Sequence, residues 1–557
     1  METLRRIDRT IAVKQEAGSL GSSRWSNKDL DPVPANQRTW TAMDVASYWN
    51  SDQMAPATWD LGSTMVGLGL CAREAIPLSF VAFFVIGIVL TLNGRIGATT
   101  HCSLPVVIRA SFGIWGSYLA ILVRAVLAIL WLIILTYLRS MCRWLRRNEA
   151  NANPPAEGGR IVAVMTGAIW PSFLKIPNTL PPKLGIDTQT IIGFAILWVF
   201  QAPLACVPVR RLAYFFKIKA WSSYILFGAL FIWAMVVTKG KGFVLTGHFD
   251  EKLLPQGSRS WAMIAGLNAV TGLYSTVSIN IPDFSRFAKS PKASWAQLVA
   301  VPVFGCIPIA ISICCAAAAE QKYGQQVFDP ASLCSLFDSR AARFFAGLGW
   351  FISTIGVNIS ANSVSFATDI TSVMPRYLSI FRCSVLAGIL CWATNPWRIV
   401  TDAPQFYSFL SSYPVFLAPV ATILATDFYI VRKGKVDVRQ FYDPEGIYRY
   451  FHGVNLRAVV AWIFALAPNL PAFAHAVDPT NPNPQPYTYY FSWYMSTFGA
   501  FVWYLLFNYL FQPHSSFVEE AVYEVGTVEY TESTVASSAE KGEVDADKEY
   551  AAGVVAV

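Results

Sequence analysis

A cluster of amide and hydroxyl side chains interrupts an apolar stretch late in the chain. Apolar residues from Phe344 to Ile352 lead into the sequence STIGVNISANSVSFATD, which runs from Ser353 to Asp369. Polar groups at bilayer depth are costly unless they face a cavity, a partner or a ligand. In a helix, Asn358 and Asn362 are four residues apart, so both amides lie on one face. We expect this face to line a substrate path.

The whole chain is too apolar for a water-soluble protein of its length. Of its 557 residues, 54% are hydrophobic and 14% are charged, and the mean hydropathy is +0.41. Soluble domains are usually about 25% charged, and the apolar blocks here are about 20 residues long, the length of a membrane-crossing helix. Composition therefore predicts an all-α polytopic membrane protein. The ten cysteines are scattered and the five histidines are isolated, so we expect no metal site and no cofactor.

Twelve apolar stretches can be counted, and two of them are interrupted. The first, about Ala46–Leu70, contains Pro56, which removes a backbone hydrogen bond in mid-span, and the carbonyls freed near Gln53 must find partners other than lipid. The sixth, about Trp261–Ile281, carries a series of Gly, Ser and Thr. Interrupted spans five positions apart are typical of an inverted five-helix repeat with a binding site at the breaks. For the first span alone, a kinked helix healed by its neighbours is the alternative.

On the same repeat logic, spans three and eight occupy equivalent positions and should face one site. Span three offers Trp131, whose ring could stack on a planar ligand. Taken alone, a single Trp in a span is more often an anchor at the membrane interface.

Charge patterning predicts three regions: a cytoplasmic amino-terminal tail (1–44), a transmembrane domain (45–512) and an acidic cytoplasmic tail (513–557). From Ser515 onward the chain holds ten Asp or Glu and two Lys, a net charge of −8, so the rest of the chain carries +16 and the whole carries +8. Loops before odd-numbered spans are basic, as the positive-inside rule requires when both termini are cytoplasmic. Nucleic-acid binding is therefore not expected. The basic residues assigned to the loop before span five are Arg210, Arg211, Lys217 and Lys219.

Several motifs follow one another along the chain. They are NKDLDPVP (Asn27–Pro34), TWDLGSTMVGLGL (Thr58–Leu70), NIPDFSRFAK (Asn280–Lys289), GVNISAN (Gly356–Asn362) and PRYLSI (Pro375–Ile380). In this order they resemble the nucleobase:cation symporter-1 family, in particular its fungal uracil and allantoin permease branch. The resemblance implies a LeuT-like fold of 12 transmembrane helices, a 5+5 inverted repeat plus two, with alternating access and proton-coupled uptake across the plasma membrane. The substrates it implies are uracil, allantoin, uric acid, cytosine, nucleosides, thiamine or nicotinamide riboside.

The resemblance also assigns roles to single residues. Trp131, Tyr274 and Asn362 match the family's aromatic on helix three, aromatic on helix six and amide on helix eight around the ligand. Aromatic rings cover the faces of a heterocycle, and an amide offers its edge one donor and one acceptor. For Tyr274, simple helix packing is the alternative. Gly356 and Val357 match the two hydroxyl ligands of sodium-coupled relatives; neither supplies a side-chain oxygen for a hard cation, so the proton is the expected coupling ion and sodium is disfavoured.

Two carboxylates near the predicted cytoplasmic ends of helices six and eight, Asp283 and Asp369, are candidate proton or gate groups, since an intramembrane acid is a functional hypothesis by default. A salt bridge to Arg286 or Lys289 is the alternative. Asn358 joins this predicted coupling and gating set.

The segment Leu132–Glu157 departs from the family pattern. Relatives carry a Gln four residues after the helix-three Trp, where this chain has Leu135, and about 19 extra residues follow. The same segment places basic residues on the predicted outside, against the positive-inside rule. We interpret it as a translated intron or a gene-model error, with genuine divergence as the alternative. If it is genuine, a ligand loses a bidentate amide contact, and canonical nucleobases are disfavoured substrates.

The sequence thus predicts a proton-coupled importer of a planar nitrogen heterocycle, with uracil or allantoin as first candidates. The alternatives are a transporter of a nucleoside, thiamine or nicotinamide riboside, and a nutrient sensor that binds without transport. The sequence shows no nucleophile paired with a general base, so an enzyme is not expected. In the acidic tail, Lys541 and Lys548 are candidate sites for the ubiquitination and trafficking machinery.

Overall fold

The computed structural model describes residues 12–13, 20, 24–140, 161–181, 184, 186–240, 258–325, 327, 329–402, 412–478, 480–482 and 487–524. Throughout these residues the protein is helical, and backbone pairing between extended residues is limited to isolated bridges such as Trp40 with Ala288. The all-α class predicted from composition is therefore confirmed for the described part of the chain.

The helices of these residues are numbered in chain order. They are α1 (Ala42–Gln53), α2 (Pro56–Gly67), α3 (Ala72–Thr100), α4 (Leu104–Phe112), α5 (Ser117–Ser140), α6 (Ile161–Ile169), α7 (Thr188–Ala205), α8 (Val209–Thr238), α9 (Arg259–Leu273), α10 (Ser275–Asn280), α11 (Pro282–Ser285), α12 (Ala296–Tyr323), α13 (Pro330–Ser335), α14 (Arg340–Val357), α15 (Val364–Val373), α16 (Ile380–Ala393), α17 (Pro396–Asp402), α18 (Pro414–Thr426), α19 (Leu456–Leu466), α20 (Leu470–Val477) and α21 (Ser492–Leu510). Two π-helical turns, Asn358–Ser363 and Asp427–Val431, follow α14 and α18.

Within the described residues, eight helical runs are long and apolar enough to cross a membrane, and the bent pair formed by α9 with Ser275–Ser285 makes nine. Three more spans would be needed for twelve. The pair α1 and α2, with 12 residues each, α16, with 14, and α21, with 19, are the candidates. A multi-pass helical protein is thus established, while the number twelve and the inverted repeat stay predictions.

The first span is broken at the predicted place. Helix α1 ends at Gln53, and α2 begins at Pro56, whose missing N–H costs nothing at the first helical position. Ala55 between them is extended, with φ −143° and ψ 155°. The carbonyl oxygen of Met54 accepts a hydrogen bond from Ser353 Oγ at 2.6 Å. A side chain of span eight therefore satisfies a backbone group that the break sets free, as expected of a group that lipid cannot solvate.

The sixth span is also broken. Helices α9 and α10 meet at Tyr274, and the span bends there by 44°. The hydroxyl of Tyr413, just before α18, donates to the carbonyl oxygen of Leu273 at 3.0 Å. Both predicted interruptions are thus present, and each is bonded to a helix from elsewhere in the chain.

Span eight is one helical run from Arg340 to Val373 that contains the π-turn Asn358–Ser363. A π-turn places one extra residue in the helical turn and is often found at functional sites. Here it coincides with the amide and hydroxyl cluster with which the sequence analysis began.

The start of the atypical segment is helical, because α5 continues from Ser117 to Ser140. Residues 141–157 of that segment lie outside the described residues, as do Lys541 and Lys548. The interpretation of this segment as a translated intron or a gene-model error stays a prediction.

Residues 24–40, here called the amino-terminal strap, cross one end of the helices. The Asn27 amide donates to the carbonyl oxygens of Pro375 and Leu378, both at 3.0 Å, in the turn between α15 and α16. Arg286, which follows α11, donates to the carbonyl oxygen of Asp29 at 2.8 Å. The strap therefore connects the end of span six to the end of span eight.

Candidate functional site

Polar side chains from three helices meet at the π-turn. Asn358 Nδ2 lies 2.9 Å from Gln201 Oε1 on α7, 3.0 Å from Thr136 Oγ1 on α5 and 3.2 Å from the Leu132 carbonyl oxygen. Asn362 Nδ2 donates to Asn358 Oδ1 at 2.7 Å, so the two amides share a face as predicted. All five residues are buried. We refer to Gln201, Asn358 and Asn362 as the amide chain.

Trp131 lies on α5 directly before Leu132, to which the amide chain is bonded. Its ring is 6.2 Å from the ring of Tyr413 in an edge-on arrangement. Because Tyr413 is also bonded to Leu273, Trp131 is connected to the break in span six through one residue. The structure thus places Trp131 one residue before the carbonyl that the amide chain bonds, and links its ring through Tyr413 to the second broken helix.

Tyr274 occupies the break itself and is buried. Its hydroxyl is 2.6 Å from Thr58 Oγ1 on α2, and its ring is 5.4 Å from Phe83 on α3 and 6.2 Å from Trp49 on α1. These contacts join the two broken spans. They fit the packing alternative stated above, and the role of Tyr274 toward a ligand stays a prediction.

A buried acid and a buried lysine lie beside the break in span one. Ser360 Oγ donates to Asp52 Oδ1 at 2.6 Å, which connects the π-turn to α1. Lys219, on α8, is completely buried. No described atom accepts a hydrogen bond from Lys219 Nζ. We call Asp52, Lys219 and Ser360 the lysine group.

The lysine side chain passes over Gly356, one of the two positions matched to sodium ligands. A Cβ atom at residue 356 would lie 3.1 Å from Lys219 Cε and would overlap Cδ, so any other residue at this position would require the lysine side chain to shift. The carbonyl oxygen of the second position, Val357, accepts from Ser360 Oγ at 3.2 Å. The assignment of Lys219 to a basic cytoplasmic loop was wrong, because α8 begins ten residues earlier, at Val209, and turns this lysine inward.

A second buried charge group contains both predicted carboxylates. Arg124 on α5 donates through Nε to Asp369 Oδ2 at 2.6 Å, and through Nη2 to the other oxygen of Asp369 and, at 3.4 Å, to Asp283 Oδ2. The backbone N–H of Leu104, at the start of α4, donates to Asp283 Oδ1 at 2.8 Å. The salt-bridge alternative is thus realised with Arg124 rather than with Arg286 or Lys289. We call Arg124, Asp283 and Asp369 the arginine group.

Sequence reasoning missed four of these residues, although a signal existed for some of them. Arg124 lies within a long apolar helix, and a basic side chain there requires an acidic partner. Asp52 precedes the broken turn of span one, where ligands of transported ions are often found. Lys219 stands near the start of an apolar run, where a loop cation and a buried one look alike. Gln201 has no sequence neighbour that marks it.

These observations define a class of protein. Paired broken helices, with buried polar and charged groups of other spans at each break, are the architecture of secondary transporters.

Comparison with known proteins identifies the family. The sequence profile described as "Permease for cytosine/purines, uracil, thiamine, allantoin" matches residues 32–145 and 156–495, and the chain belongs to this family of permeases, which are not enzymes. The gap in the match, 146–155, falls inside the segment that the sequence analysis singled out.

Two curated relatives show how similar the family members are. The allantoin permease of Saccharomyces cerevisiae is 32% identical over 472 residues, which is 82% of this chain and 70% of that protein. The uridine permease of the same organism is 30% identical over 523 residues, which is 90% of this chain and 77% of that protein.

A solved structure shows the fold. The transporter Mhp1 of the nucleobase-cation-symport-1 family, in a closed conformation with bromovinylhydantoin bound, aligns with a TM-score of 0.64 and 18% identity over 88% of this chain and 97% of its own. The resemblance deduced from the motifs is therefore confirmed, and the LeuT-like fold it implied is supported.

Proposed function

We propose that the protein is a proton-coupled importer of a planar nitrogen heterocycle across the plasma membrane, with both termini in the cytoplasm and uracil or allantoin as first candidate substrates. The observation that carries the coupling proposal is the buried Lys219, whose side chain passes over Gly356 and ends in an ammonium group. By the family resemblance, this is where sodium-coupled members hold their ion. A fixed positive group there repels a second cation at close range.

The lysine group contains side chains that can bind and release a proton. Lys219 and Asp52 are the two ionisable members of the lysine group, and they come from α8 and from the broken span one. A proton gained or lost by either one changes the attraction between the two helices. Because span one is interrupted directly after Asp52, such a change acts where the helix is able to bend.

The substrate proposal rests on the surroundings of Asn362. The family resemblance assigns Trp131 and Asn362 to the same ligand, where Trp131 would supply an aromatic face and Asn362 a polar edge. Sites for small planar ligands combine apolar walls with a few placed polar groups. Two relatives described above are permeases for allantoin and for uridine, and both compounds contain a nitrogen heterocycle.

Transport in liposomes that contain the purified full-length protein tests the proposal. An inward pH gradient should drive accumulation of radiolabelled uracil or allantoin, and an inward sodium gradient at constant pH should not. Lys219→Met should abolish the response to the pH gradient. Lys217→Met is the matched control, since Lys217 is exposed on the same helix two residues away, and it should leave the response intact.

Two results would contradict the proposal. Accumulation that depends strictly on sodium would exclude proton coupling through the lysine group. Saturable binding of a heterocycle without any uptake would instead favour the sensor that the sequence left open.

A further inference from the structure

The orientation of each amide in the amide chain is determined by its hydrogen bonds, starting from a backbone carbonyl oxygen that can accept but not donate. The Leu132 carbonyl oxygen only accepts, and it receives the Thr136 hydroxyl proton at 2.6 Å. The Thr136 oxygen is thereby left as an acceptor for Gln201 Nε2 at 2.9 Å. Gln201 must then turn its Oε1 toward Asn358.

The direction passes along the chain to Asn362. Asn358 Nδ2 is held by acceptors on three residues, so its Oδ1 faces the other way and accepts from Asn362 Nδ2. Asn362 therefore points its nitrogen into the chain. No described group donates to Asn362 Oδ1, and this oxygen remains available as an acceptor.

We propose that Gln201 is a positioning residue for substrate recognition: through Asn358 it holds Asn362 with its amide oxygen toward the ligand, and so selects heterocycles that present a ring N–H donor at that edge. This inference rests on the proposed function, since it assigns a ligand specificity to the same site. Gln201 also supplies an amide near helix three, which lacks the Gln that relatives carry there. Leu135 offers no hydrogen bond, and the neighbouring helix α7 supplies Gln201 to the next residue of α5, Thr136.

The chemical class follows from this orientation. An acceptor fixed in a buried site favours cyclic imides and ureas, in which an N–H lies between carbonyl groups. Sites built to bond a substrate N–H reject analogues that lack it, because the buried partner is left unpaired. N-methylation of the recognised nitrogen should therefore weaken binding by about tenfold or more.

The test measures competition against radiolabelled uracil or hydantoin in cells that express the full-length protein. The competitors are uracil, 1-methyluracil and 3-methyluracil, with hydantoin and its 1-methyl and 3-methyl derivatives as a second set. The readout is the ratio of inhibition constants for methylated and unmethylated competitors. This ratio is independent of how much protein reaches the membrane, so a merely structural role of Gln201 would not move it.

Gln201→Met keeps the length of the side chain but removes its acceptor oxygen, and it should lower the ratio at least roughly threefold. Gln201→Glu retains an oxygen for Asn358 and should preserve more of the ratio than Gln201→Met does. Thr136→Val removes the hydroxyl that orients Gln201 and gives an independent second variant. The matched control is Gln189→Met, on the same helix, since Gln189 bonds to the Ile176 carbonyl oxygen outside the amide chain.

The outcomes separate the two proposals. If the wild type discriminates against a methylated ligand and neither Gln201→Met nor Thr136→Val changes the ratio, the positioning role is excluded while transport stands. A wild type with no methyl discrimination also excludes it. If the wild type neither binds nor transports any of these compounds, the proposed function fails and this inference fails with it.

Discussion

In the arginine group one guanidinium is paired with two carboxylates, whereas the lysine group holds one ammonium and one carboxylate, and that carboxylate accepts a hydrogen bond from Ser360. Arg124 makes charge-assisted hydrogen bonds to both of its partners, and Lys219 Nζ makes none to any described atom. Both groups are buried between helices of different parts of the fold. A charge that is buried without a hydrogen bond is costly to maintain. The arginine group therefore stabilises the fold, whereas the lysine group is the one in which we expect protonation and helix packing to change during transport.

We expect the largest loss of stability from Arg124→Met. The change leaves Asp283 and Asp369 buried together without their cation. Removal of one partner from a buried ion pair typically costs about 3–5 kcal/mol in the free energy of unfolding. Thermal unfolding of the purified protein in detergent measures the loss.

Arg449→Met is the control for that experiment. Arg449 pairs with Glu445, and the two side chains are 50% and 67% exposed. Exposed pairs contribute little, so the unfolding temperature should hardly change. An equal loss in both variants would show that burial of the arginine group is not what stabilises it.

Gly356→Ala should have the next largest effect, because the added methyl group would overlap the Lys219 side chain. Overpacking of this kind costs typically about 1–3 kcal/mol. Thermal unfolding measures it, and Lys219→Ala in the same protein should restore stability without restoring proton-driven uptake. Gly67→Ala is the control, since no atom lies within 4 Å of a Cβ at that position. Full stability of Gly356→Ala would mean that the lysine does not lie against this glycine.

Asn362→Ala should have the smallest effect on stability but should abolish transport. The change removes one side-chain hydrogen bond, which contributes about 1 kcal/mol, and removes the proposed ligand contact altogether. Surface abundance should be unchanged while uptake is lost, as measured by microscopy and radiolabel accumulation. Unchanged transport kinetics would remove Asn362 from the site.

The sequence was most informative where one residue type determines the local backbone or where two residues share a helix. Pro56 marked the end of α1, and the spacing of Asn358 and Asn362 placed them on one face. Neither inference required knowledge of which helices are neighbours.

Contacts between helices were beyond reach for that reason. The partner of Asp283 and Asp369 comes from α5, more than 150 residues earlier in the chain. Lys219 was mistaken for a loop residue because hydropathy does not show where α8 begins. Gln201 enters the amide chain only because α7 packs beside α5 and the π-turn.

The amino-terminal strap limits both how far the chain can be truncated and how far the ends of spans six and eight can move apart. Its bonds to Pro375, Leu378 and Arg286 begin at Asn27, so a deletion that stops at residue 23 leaves them intact, while one that extends to residue 40 removes them all. Because these anchors stand at the ends of spans six and eight, the two ends cannot separate unless the strap is released or carried along. Residues 24–40 are in this sense a mechanical part of the transporter, and a truncation that removes them should alter its movement.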